Sequence, residues 1–207
     1  MIRMKSASKP DSKSSRRRQM HARRRQQKLI TNLIWGGLGI AVLTVVGVLV
    51  WQAVRPAAGE AVAVPANSDQ HVAVGTPPGP YNTDPPTGGA HYAETLPAKF
   101  YEEADVASLP EYPQGYLVHN LEHGYVIFWY NCESSDDTDC GNLKEQIRGV
   151  MEEFDGFKVA AFPWKALDVP VAMTSWDRIQ RFESFDPAQA RAFVRANRNR
   201  APEPNAP

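Results

Sequence analysis

Between Ile30 and Val54 the chain carries no charged residue. This run limits the possible folds more than any other feature of the sequence. As a helix it spans roughly 37 Å at 1.5 Å per residue, enough to cross a hydrocarbon core of about 30 Å with some tilt. Trp35 and Trp51 lie near its two ends, where interfacial aromatics sit. A chain with such a segment is expected to divide in two, with a membrane helix over 29–54 and a globular part after it.

Charge supports that division. The chain has 207 residues and a formal net charge of zero, but residues 1–28 hold eleven of the 23 basic side chains and one of the 23 acidic ones. Everything after the arm holds twelve basic residues against 22 acidic ones. The runs Arg16-Arg17-Arg18 and Arg23-Arg24-Arg25 predict a cytoplasmic N-terminus, a single pass through the cell membrane and an extracytoplasmic C-terminal domain. The expected partners are the lipid bilayer and, through the basic arm, anionic lipid headgroups. No folded or aromatic-interleaved basic element points to nucleic acid, and no protein partner is indicated. A cleaved signal peptide is the competing reading, with Ala61-Val62-Ala63 as a possible cleavage site. The apolar run is longer than the usual 7–15 residues, which favours a retained signal-anchor. Gly37 and Ala41 form one small-xxx-small pair, a weak helix-packing signal.

Residues 55–75 are Ala-, Val-, Pro- and Gly-rich and read as a flexible linker. A Pro/Gly-dense stretch follows from Pro77 to Tyr92, which excludes helix and central strand. It reads as a stiff loop over the domain surface that ends by placing His91. Residues 93–117 read mostly as loop.

The domain proper is expected over 76–201. Tyr125 to Asn131 is apolar on both faces and reads as a central strand. Leu143, Ile147, Val150, Met151 and Phe154 have helical spacing, with Asp139 or Asn142 as a start and Asp155-Gly156 as a stop. Lys158–Phe162, Val169–Trp176 and Arg178–Glu183 read as strands. Asp186-Pro187-Ala188-Gln189 is a helix start, with Asp as N-cap, Pro at N1 and Gln at N3. Residues 202–207 read as a disordered tail. The fold class is α/β: a single-pass helix followed by one small α/β sandwich, with an element order that looks thioredoxin-like.

The chemistry concentrates in His119-Asn120-Leu121-Glu122-His123-Gly124. The string His-x-x-Glu-His is that of the inverted zinc proteases, which need it on a helix. Here Gly124 and a strand follow at once, so a helix of one turn is expected and a protease is disfavoured. Residues four apart share a metal only across a helical turn, since in a strand they stand about 13 Å apart. His91, His119 and His123 are then the candidate metal ligands for zinc or copper, with Glu122 orienting an imidazole from the second shell. Met173 is a possible soft ligand, although a methionine inside an apolar strand more commonly belongs to the core. Hydrogen bonding of the histidines within the fold, and acid–base catalysis, remain alternatives at this stage.

Cys132 and Cys140 are the chain's two cysteines and bracket an acidic loop. A structural disulfide is expected on the outer face of the membrane. A redox pair at a strand end and helix start is the alternative, although the acidic loop disfavours a thiolate.

Three stretches, Tyr81–His91, His119–Gly124 and Met173-Thr174-Ser175-Trp176, resemble the bacterial, membrane-anchored domain-of-unknown-function family numbered 3105, over roughly residues 76–200. This sequence has Gly88 and Ala90 where the family pattern has Ser and Pro, and its cysteines are spaced more widely. The resemblance implies the anchored layout and draws attention to His91, His119 and His123. It implies no activity. The expected function is a transition-metal-binding module with no assigned catalytic residue. A thiol–disulfide or hydrolytic enzyme of the cell envelope is the first alternative, and an envelope protein without ligand, structural or partner-binding, is the second.

Overall fold

The structure is a computed structural model that describes Arg25, Lys28 and residues 31–48, 57–133 and 137–206, without the side chains of Asp137 and Thr138. Most of the basic arm, the ends of the apolar run including Trp51, and residues 134–136 of the loop between the cysteines lie outside the described residues. The chain forms two compact units, residues 1–55 and 56–207.

In the first unit, α1 (Thr31–Val48) is the one described helix long and apolar enough to cross a membrane. Its large apolar side chains, including Leu33, Trp35 and Leu43, are exposed. Thr44 returns its hydroxyl to the carbonyl of Ile40 at 2.9 Å, so its polar group is satisfied within the helix.

The second unit contains β1 (Glu60–Ala61), α2 (Glu103–Val106), α3 (Gln114–Glu122), β2 (Val126–Tyr130), α4 (Asp137–Glu152), β3 (Val159–Pro163), β4 (Val171–Ser175), β5 (Arg178–Phe182) and α5 (Pro187–Asn197). The five strands form one sheet in the order β1-β5-β4-β2-β3. The β2–β3 pair is parallel and joined through α4, as a parallel pair requires. The β2–β4, β4–β5 and β1–β5 pairs are antiparallel.

β2 is an interior strand, between β4 and β3, and every one of its residues is buried. Alternation explains the unbroken apolar run. Val126, Phe128 and Tyr130 face one core with Leu143, Ile147, Val150 and Met151 of α4 and Ala190, Phe193 and Val194 of α5. Ile127 and Trp129 face the other core, with Leu117 and Leu121 of α3 and Phe162. The buried Trp129 indole donates to Thr174 Oγ1 at 2.7 Å, so its N–H is not orphaned. The sheet is therefore covered on both faces, by α4 and α5 on one and α3 on the other. The result is a mixed α/β sandwich. Element order is as far as the thioredoxin-like likeness goes, and no helix lies between β3 and β4 among the described residues 164–170.

The α5 start follows expectation: the Asp186 carboxylate accepts from the amides of Ala188 and Gln189. α4 begins at Asp137, ahead of both expected caps, and the chain leaves it through Asp155 and Gly156, both at positive φ.

Three expectations fail. First, residues 57–75 are part of the domain rather than a flexible linker. β1 pairs with β5, and Asn197 holds both backbone groups of Ala58. Small apolar residues read as linker here because two-residue edge pairing leaves no periodic signature. Second, the tail is packed: Lys158 donates to the carbonyls of Pro204 and Ala206, and the Glu203 amide donates to Glu122 O at 3.0 Å. Third, the region read as loop up to residue 117 holds α2 and the first turn of α3.

Candidate metal centre

α3 is poor in helix-forming signals, which is why one turn was expected where there are two and a half. Gly115 sits in its first turn because a Cβ there would lie 2.6 Å from the Tyr92 ring. Tertiary contacts hold the helix instead. Asn120 bonds both backbone groups of Leu96, at 3.0 and 2.8 Å, and the helix buries every residue from Gly115 to Glu122. His119 and Glu122 are three residues apart and therefore share a face.

His91 arrives from the Pro/Gly loop, as expected, but that loop is buried from Pro85 to Tyr92 rather than lying over the surface. Gly89, at φ +134°, turns the chain into His91. The His91 ring is fully buried and held at both nitrogens: Nδ1 is 2.8 Å from Gly89 O, and Nε2 is 2.9 Å from Glu122 Oε2. A carbonyl only accepts, so Nδ1 carries the hydrogen. Nε2 therefore turns its lone-pair side toward a carboxylate oxygen, and a proton or a metal ion must lie between them.

The cluster that forms is not the expected one. His71, His91, His119 and Glu122 each offer a ligand atom, and these atoms all lie within 4.8 Å of one another. The ring centroids of His71 stand 4.8 Å from His91 and 5.1 Å from His119, and those of His91 and His119 are 5.1 Å apart. Of the three expected ligands, His91 and His119 are brought together. His123 caps α3 outside this group, with its ring edge-on to His119 at 4.4 Å and its Nε2 3.6 Å from Glu203 Oε2. Glu122 was expected behind an imidazole; it stands among the donors.

The residue missed was His71. It lay in the presumed linker, and a parallel bridge to His91 brings it in through Gln70 O and the Val72 amide. One signal was available: the chain has only five histidines, of which three converge here and a fourth, His123, packs against His119. Met173 is fully buried in the core beneath α4 and α5, on the sheet face opposite α3, and so is not a soft ligand here.

His119 is 7 % exposed, and its Nδ1 is buried with no hydrogen-bond partner. Burial first, then the neighbouring imidazoles of His123, His91 and His71, push this imidazole down to about 4. It is neutral at physiological pH, the form that ligates metal. The unfolded chain takes up this proton first, near pH 6.5, so the group contributes stability above pH 6.5 that is lost as the pH falls toward 4. Metal-free wild type should lose up to about 3 kcal/mol more than His119→Gln between pH 7 and pH 4.5. Urea unfolding in chelator at the two pH values measures the difference; parallel losses would refute it.

Cys132 and Cys140 form the expected disulfide, with Cα atoms 5.4 Å apart. Glu103 lies close to both sulfurs, but disulfide sulfurs have no thiolate to offer a metal.

An α/β sandwich carrying a three-histidine, one-carboxylate cluster on the helix side of its interior strand β2 defines the class. Residues 73–207 match the family described as Protein of unknown function (DUF3105), and the chain belongs to that family. No curated protein and no solved structure matches the chain.

Proposed function

We propose that this chain is a single-pass protein of the cell membrane whose extracytoplasmic domain binds a transition metal, zinc or copper, at His71, His91, His119 and Glu122. The observation that carries the reading is the convergence of ligand atoms from His71, His91, His119 and Glu122 within 4.8 Å of one another, at a histidine, His119, whose buried Nδ1 has no partner. An orphaned buried polar atom costs about 1–3 kcal/mol, and a cluster of neutral imidazoles gives a divalent ion the donors it prefers. Nitrogen and carboxylate donors without thiolate suit zinc(II) or copper(II). Ligands about 2 Å from a shared ion stand roughly 3.4 Å apart when tetrahedral, so the present cluster needs only a small contraction.

The anchored topology is supported by the apolar helix, 18 residues at mean hydropathy 1.8, behind a basic arm. The arm would add attraction to anionic lipid headgroups. The site is read as a binding module rather than an enzyme, because the Glu122 carboxylate is turned into the His91 contact and is 6 % exposed, poorly placed to activate water.

The test is metal analysis of the full chain purified in detergent. After loading with zinc(II) or copper(II) and removal of excess, one equivalent per chain is expected, with His119→Gln weakened more than about 100-fold. Wild type that retains no metal after loading ends the proposal.

A further inference from the structure

We infer that His71 is the exchange ligand of this centre, the donor that gives way when an incoming ligand takes the metal. The inference rests on the metal-centre reading. It starts from an asymmetry among the four donors. His91, His119 and Glu122 are 0 %, 7 % and 6 % exposed, whereas His71 is exposed. Of the four donors, His71 is therefore the one that solvent reaches freely.

The supports differ in the same sense. His91 is held at both ring nitrogens, and His119 and Glu122 ride on a helix buried along its length. His71 stands on a turn-rich excursion, with Ser68 bonded back to Pro65, Gln70 to Asn67 and Thr76 to Ala73. Beside His71 the excursion is tied to the domain by the pair of backbone bonds to His91, and five residues further on by the Tyr92 hydroxyl, which donates to Thr76 O at 2.8 Å. His71 also lies two residues before the stretch that matches the family, whereas the three buried donors lie within it. An exposed ligand on a short backbone excursion is the one that can swing away without disturbing the core.

The step is a ligand exchange with no change of oxidation state. A donor atom of the incoming ligand would form a bond to the metal as the bond to His71 breaks. His71 leaves as a neutral imidazole. His91, His119 and Glu122 then release the ion in turn, and a proton returns between His91 Nε2 and Glu122. The buried donors supply affinity, and His71 supplies the handle by which the metal is taken.

The test uses the zinc-loaded full chain in detergent, mixed with increasing concentrations of the chromogenic chelator 4-(2-pyridylazo)resorcinol. The transfer rate should rise in proportion to chelator concentration. His71→Ala and His71→Gln should still bind one equivalent, and both should release it about tenfold faster or more. A rate unchanged in both variants overturns the assignment, as does a wild-type rate independent of chelator concentration. Variants unable to hold zinc also overturn it, since His71 would then be indispensable rather than exchangeable. Wild type that never takes up zinc defeats the metal-centre reading itself, a result distinct from these.

Discussion

Replacing His91 with leucine is expected to cost the metal-free protein about 3–5 kcal/mol, among the largest effects of any single change in the domain. The ring is fully buried, and its Nε2 is the partner of a carboxylate that is itself only 6 % exposed. Leucine fills most of the space but leaves the Glu122 carboxylate facing an apolar side chain. A buried group stripped of its partner costs more than the pair contributed. The double variant His91→Leu/Glu122→Leu should therefore be more stable than His91→Leu alone, because it removes the stranded charge. Urea unfolding, in the presence of chelator, of wild type, His91→Leu, Glu122→Leu and the double variant gives the four free energies of the cycle. If the double variant is as unstable as the two single losses added together, the two residues are not a coupled pair. Both variants should also lose metal binding.

Gly124→Ala should cost about 2–4 kcal/mol and weaken metal binding as a consequence. Gly124 links α3 to β2 at φ +85°, a conformation that costs an L residue about 1–2 kcal/mol. A Cβ there would stand 2.7 Å from Asn199 Cα and 3.1 Å from Asn199 N. Both are backbone atoms, so relief requires the chain to move rather than a side chain to turn. The Asn199 amide also donates to Gly124 O at 2.9 Å, which ties the end of α3 to the segment after α5. Moving that junction shifts His119 and Glu122 relative to His91. Unfolding and zinc titration of the same variant check both effects, and a fully stable variant with unchanged affinity would contradict the argument.

The elements legible in the sequence are those whose signal is local. β2 could be read from Tyr125–Tyr130 because a strand buried on both faces has no polar positions. α4 could be read from the spacing of Leu143, Ile147, Val150, Met151 and Phe154, and α5 from Asp186 and Pro187. α3 was cut short because Gly115, Asn120 and its β-branched residue suit a helix poorly; Tyr92 packing and the Asn120–Leu96 bonds hold it in place from outside. A helix of this length could carry a protease-like pairing of His119 with His123. The donor geometry does not favour that pairing, because His119 groups with His71 and His91.

The sequence by itself determined that the chain divides into an apolar helix and an α/β domain, that β2 is an interior strand buried on both faces, and that His91, His119 and Glu122 deserved attention. Each of those statements follows from composition, periodicity or spacing over a few residues. Only the tertiary structure decided that residues 57–75 belong to the domain, that Lys158 draws the C-terminal segment in, and that His71 rather than His123 completes the cluster. The reason is physical. Ligand convergence depends on two backbone hydrogen bonds beside His91 and on the docking of α3, contacts between residues 20 to 50 positions apart that leave no periodic trace in the chain.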